Sequence, residues 1–118
     1  MIEMISRPRA SGKTRDLKLY FHENYDKYEY IVIVAHHAKQ TDVFYRYVRP
    51  YDRKDKVRLC SRGLPRKSKV LVLIDEPFIM DIDRQNNIVT GLKMCDLDYD
   101  IYGIGTEPTR EGFGKYIK

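Results

Sequence analysis

Arg7-Pro8-Arg9-Ala10-Ser11-Gly12-Lys13-Thr14 follows the apolar run Ile2-Glu3-Met4-Ile5 and opens a stretch of helical pattern. A turn between a strand and a helix can aim several backbone N–H groups, backed by the positive end of the helix, at one cluster of anionic oxygens. The residue types here suit phosphate. Arg9, Ala10 and Ser11 form the body of the turn, Gly12 lets the backbone come close, Lys13 reaches terminal phosphates, and Thr14 offers a hydroxyl to Mg²⁺. The usual spacing, G-x-x-x-x-G-K-[ST], begins with glycine, and this chain has Arg7 there.

A chain of 118 residues is expected to form one domain spanning 1–118, with enough buried surface for a single core. Its net charge of +5 permits contact with nucleic acid or nucleotide phosphates without demanding either. Much of that charge is gathered in Arg53, Lys54, Lys56, Arg58, Arg62, Arg66, Lys67 and Lys69, against the single acid Asp55. Cys60 and Cys95 are too far apart for a C-x-x-C motif and too few for a disulfide framework, which points to a reduced, intracellular protein. The first residues lack the apolar core of a leader, and no apolar run approaches the ~18 residues of a membrane span. Neither secretion nor membrane insertion is expected.

Working outward from the opening turn, short apolar runs alternate with longer mixed segments, the pattern of a parallel sheet with helical crossovers. Ile2 to Ser6 reads as the first strand and Lys13 to about Tyr25 as the first helix, with Leu17, Leu19, Tyr20 and Phe21 on a rough apolar face. Tyr30 to Ala35 is nearly all apolar and should be a strand covered on both faces. Gln40 to Val48 reads as a helix stopped by Pro50, and Val57 to Cys60 as a short strand. Val70 to Ile74 is the strongest strand, Asp83 to about Met94 a weaker helix interrupted by Gly91, and Ile101 to Gly105 the last strand.

Val70 to Ile74 runs directly into Asp75-Glu76-Pro77. In an open parallel sheet, ligands sit beyond the carboxyl ends of the strands, so this acidic pair and the Lys13 turn would face one crevice. Asp75 could hold Mg²⁺, and Glu76 could orient or deprotonate an attacking water.

Apolar residues followed by Asp75-Glu76, downstream of Gly12-Lys13-Thr14, resemble the Walker B and Walker A elements of P-loop ATPases. The adjacent acids resemble the subclass that has an additional strand between the two Walker strands and a catalytic glutamate. Gly105-Thr106-Glu107-Pro108 resembles the coupling motif of helicases and viral packaging motors, which implies that Thr106 faces the γ-phosphate. The segment Ile31 to Val48, with Ala35, Gln40 and Val43-Phe44, and the compact Val57 to Leu64 look like parts of the ATPase domain of large terminase subunits, the motors that pump viral DNA into capsids. Terminase loops often lack the first glycine and carry an arginine, and that resemblance gives Arg9 a γ-phosphate contact. The terminase nuclease domain and much of the usual ATPase length have no counterpart here. A stripped-down relative is the expectation.

The resemblance implies a three-layer α/β P-loop NTPase fold with a mostly parallel sheet of four or five strands. It also implies ATP and Mg²⁺ as cofactors, with Glu76, Arg9 and Lys13 catalytic and Thr14 and Asp75 on the metal. Arg110 is a candidate arginine finger for a neighbouring subunit, in a homo-oligomer or a larger motor or replication assembly, and a viral source would place the protein in the host cytoplasm. The basic segment, with Tyr45, Tyr47 and Tyr51 nearby, could track DNA or another nucleic acid; a solvated loop would look the same. His36 and His37 point to opposite faces of an extended chain and make a poor chelate, and Asp81, Asp83, Asp96, Asp98 and Asp100 read as solvated turns. Three further readings stay open: a nucleotide-binding regulatory module with little hydrolysis, a small nucleoside or nucleotide kinase, and a basic nucleic-acid-binding protein whose loop is a relic. The Asp-Glu pair and the lack of an evident lid argue against the kinase.

Overall fold

Tyr30–Ala35 and Lys69–Asp75 carry apolar side chains at consecutive positions, and successive strand residues point to opposite sides of a sheet. Both strands must therefore be covered twice. A computed structural model, which describes residues 1–8 and 12–106, resolves this as a five-stranded, all-parallel sheet with helices on both faces. The elements run β1 (Ile2–Arg7), α1 (Lys13–Asn24), β2 (Tyr30–Ala35), α2 (Ala38–Val48), β3 (Val57–Arg58), β4 (Lys69–Asp75), α3 (Ile82–Met94) and β5 (Asp98–Thr106). Their order across the sheet is β1-β5-β4-β2-β3.

Alternate residues of β2 and β4 build two separate cores. Ile31, Ile33, Leu71 and Leu73 point to one side, where Leu17 and Phe21 of α1 and Phe44 and Val48 of α2 cover them. Val32, Val34, Val70, Val72 and Ile74 point to the other, against Val89 and Leu92 of α3. This is the α/β layering expected from the apolar pattern. Among the described residues no helix is long and apolar enough to cross a membrane.

Several element boundaries differ from the sequence reading. α2 begins at Ala38 rather than Gln40, because His37 stays extended and its Nδ1 lies 3.4 Å from the Gln40 amide as a cap. β3 has only two residues instead of the four from Val57 to Cys60, pairing Val57 with Ile31 and Arg58 with Val32 before the chain turns away. β5 is longer than Ile101 to Gly105, and it takes in Asp98 and Asp100, which had read as turn residues. Asp100 tolerates a strand position because its carboxylate accepts from the Tyr28 hydroxyl at 2.6 Å and from the N-terminal ammonium at 2.9 Å.

Candidate functional site

At the junction of β1 and α1, Gly12 is the helix N-cap in the left-handed conformation, with φ +77° and ψ 27°. An L side chain is strained there, so the backbone itself requires the glycine. Lys13 and Thr14 open α1, and the Thr14 residue is exposed. Arg7, which stands where the phosphate-loop pattern has glycine, ends β1 and forms an ion pair with Asp16 in the first turn of α1. That pair ties the two ends of the turn together. Arg9, Ala10 and Ser11 lie outside the described residues, as do Glu107, Pro108 and Arg110.

β4 delivers Asp75 and Glu76 to the same end of the sheet. Burial pushes the Asp75 carboxyl above its ordinary value, the neighbouring Glu76 charge pushes the same way, and the Lys13 ammonium opposes both. Lys13 is thus close enough in charge to act on Asp75. Glu76 itself has a left-handed backbone, φ 59° and ψ 56°, unusual for a residue with a side chain. The cost is offset by three hydrogen bonds. Its amide donates to the Ile104 carbonyl at 3.1 Å. Its Oε1 accepts from the Thr106 amide at 2.8 Å, and its Oε2 from the Thr106 hydroxyl at 3.2 Å.

The sheet order makes those bonds reachable. β5 lies between β1 and β4, pairing Arg7 with Thr106 on one side and Asp75 with Ile104 on the other. Gly105 completes the arrangement, since a Cβ there would sit 3.0 Å from Pro77 and Phe78 and 3.1 Å from Glu76 Oε1. The turn after Glu76 rests on bare backbone.

His36, just past β2, has an Nδ1 that is buried and without a hydrogen-bond partner among the described residues. Burial holds its imidazole below the ordinary value, the His37 ring and the Arg84 cation push further down, and the Glu76 charge pulls up. Arg84 of α3 donates from Nη1 to the His36 carbonyl at 3.2 Å. Asp16 and Arg84 were not among the sequence candidates, and His36 was weighed there only as a poor chelate beside His37, since each acts on the site from a different element. Acid in the first turn of the helix after Thr14 was the one legible hint, for Asp16.

No protein-family model matches the chain, and no curated protein matches it.

The basic segment makes contacts of its own. Lys54 pairs with Asp26 at 3.2 Å, Arg66 pairs with Asp96 at 3.0 Å, and the Lys69 ammonium lies over the Tyr28 ring. Arg53 lies over the Tyr25 ring, and Arg58 over the Tyr30 ring. Lys56 is buried, and its Nζ donates to the Tyr25 carbonyl at 2.8 Å. Arg62 and Lys67 are exposed, the latter with φ +62°. Several of these cations cluster near the amino ends of β2 and β4, since the Lys56 carbonyl accepts from Ile31 and Lys67 donates to Asp96 just before β5. His36 and His37 gather no further ligands, and among the described residues no group of three or more His, Cys, Asp or Glu could hold a metal.

Proposed function

We propose that this chain binds ATP with Mg²⁺ and hydrolyses it in the service of a viral DNA transaction such as packaging. The observation that carries the reading is the convergence, at one end of the sheet, of a helix amino end bearing Lys13 and Thr14 with Asp75, Glu76 and Thr106. The placement of β5 between β1 and β4 agrees with the P-loop ATPase subclass that the sequence resembles. The link to DNA packaging rests on the likeness to terminase ATPase domains.

The donor set fits a magnesium nucleotide. Mg²⁺ favours oxygen ligands and is commonly held by one or two protein groups together with substrate phosphates. The Thr14 hydroxyl and Asp75 carboxylate are such groups, and Asp75 has a second acid, Glu76, beside it. Bound there, the metal would supply charge neutralisation for the phosphoryl oxygens. Lys13 would steady the terminal phosphates, with α1 directing its amino end towards them. Glu76 would take a proton from water, giving up one of its two Thr106 bonds to do so. Thr106 would register that exchange through its own position on β5.

Phosphate release from the purified protein, with and without DNA, tests the reading beside thermal melts in ATP and Mg²⁺. ATP should raise the melting midpoint of the wild type and of Glu76→Gln, while Lys13→Ala abolishes that rise. Glu76→Gln should stop turnover. Absence of both an ATP-induced shift and any turnover would overturn the proposal. A second reading, a nucleotide-binding regulatory module with little hydrolysis, is favoured by one observation: both Glu76 carboxylate oxygens are engaged by Thr106. Tight ATP binding without phosphate release, DNA included, would select it.

A further inference from the structure

Gly91 stands inside α3, where glycine weakens a helix relative to alanine. Neither of the usual reasons for a glycine applies. Its φ is not positive, and a Cβ would meet only the Ser61 hydroxyl at 3.5 Å, an ordinary contact. What the missing side chain does is widen a cleft of 470 Å³ between α3 and the segment Leu59 to Arg62. That volume lies in the range of roughly 300–1,000 Å³ typical of small-molecule sites.

The cleft follows from the topology. β3 stops after two residues, so the chain beyond it lifts away from the sheet and forms one wall, while α3 forms the other. Val32, Val34 and Val72 make an apolar floor. The charged lining is of one sign: Arg62 and Arg84 bring two guanidinium groups beside the neutral Ser61 and Asn87, and among the described residues no carboxylate contributes to the walls. Among the described residues neither arginine pairs with an acid. Arg84 spends one N–H on the His36 carbonyl and has others to offer.

We propose that this cleft binds a small amphipathic organic anion, its apolar body over the valine floor and its carboxylate between Arg62 and Arg84. An uncharged apolar ligand would leave the half-buried Arg84 and the exposed Arg62 without an anionic partner, and a purely polar anion would leave the floor uncovered. The site lies on the α3 face of the sheet, and the proposal stands independently of the nucleotide reading.

Decanoate, kept below its micellar range, is a suitable probe, with decanol as the uncharged control and calorimetry as the readout. Decanoate should bind with one-to-one stoichiometry, at least tenfold more tightly than decanol. Arg62→Gln combined with Arg84→Gln should remove most of that preference, and Gly91→Leu, which projects into the cleft, should weaken binding. Cys95 also lines the cleft, so decanoate should slow its alkylation in the wild-type protein, a readout that needs no variant to fold. Failure of decanoate to bind saturably or to protect Cys95 would overturn the proposal. So would equal affinity for decanol, or binding untouched by the paired arginine substitutions.

Discussion

Glu76 shows how much local structure a single carboxylate can require. A left-handed backbone at a residue with a side chain costs on the order of 1 kcal/mol, and it persists because Ile104 and Thr106 hold the residue from two directions. Gly105 is the silent partner in that fit. Adding one methyl group there, by Gly105→Ala, brings carbon to 3.0 Å of Pro77 and Phe78 and crowds Glu76 Oε1. The expected cost is about 1–3 kcal/mol; if the chain hydrolyses ATP as proposed, turnover should fall by more than the loss of stability predicts, because the carboxylate itself is displaced. Urea titration beside phosphate release measures the two effects, and a variant as stable and as active as wild type would contradict the fit described here.

At the scale of elements, the loop before β3 depends on Asp52. Its carboxylate accepts from the Tyr25 hydroxyl at 2.7 Å and from the Lys56 and Val57 amides at 2.8 and 2.9 Å, fixing the approach of β3 to β2. Burial pushes the Asp52 carboxyl upward, but these bonds outweigh it and hold the group below its ordinary value. A depressed carboxyl stabilises the fold above the unfolded-state pKa, and that contribution is lost as pH falls through the folded-state value. Asp52→Asn should therefore lower stability at neutral pH by about 1–2 kcal/mol, partial exposure limiting the effect. It should also flatten the acid limb of the stability curve, which melts from pH 7 down to pH 3 would reveal; an unchanged acid limb would dismiss the linkage. The elements themselves were legible to different degrees. Continuous apolar runs announced β2 and β4, whereas the acidic start of β5 hid a strand whose charge is satisfied by Tyr28 and the N-terminal ammonium, partners distant in sequence. The start of α2 was hidden because histidine is an uncommon cap.

Across the whole molecule, the sequence carried the two ends of the candidate site more clearly than their connection. Gly12-Lys13-Thr14 and Asp75-Glu76 stand out as residue types at a telling spacing, but the bonds from Thr106 to Glu76 depend on β5 entering the sheet between β1 and β4. Charge counting along Arg53 to Lys69 did not distinguish Lys56, drawn inside by the Tyr25 carbonyl, from its exposed neighbours. The meeting of His36 with Arg84 could not be read at all, because it is made by packing between the end of β2 and α3.

The sheet order also sets how firmly the Gly12 turn is anchored. Among the described residues β1 is an outer strand, bonded to β5 alone, while β4 is bonded on both sides. On its β1 side the turn therefore hangs from a single ladder, and every second β1 amide faces away from it. Opening fluctuations should be cheapest along that seam, so in hydrogen exchange the β1 amides should trade deuterium sooner than those of β4. ATP with Mg²⁺ should slow the β1 exchange most, since a ligand gripping the turn would close the seam at its end. Equal protection of β1 and β4 without nucleotide would show that the seam is not the weak line. In mechanical terms the molecule is a page bound along one edge, with the Lys13 turn at the corner that lifts first.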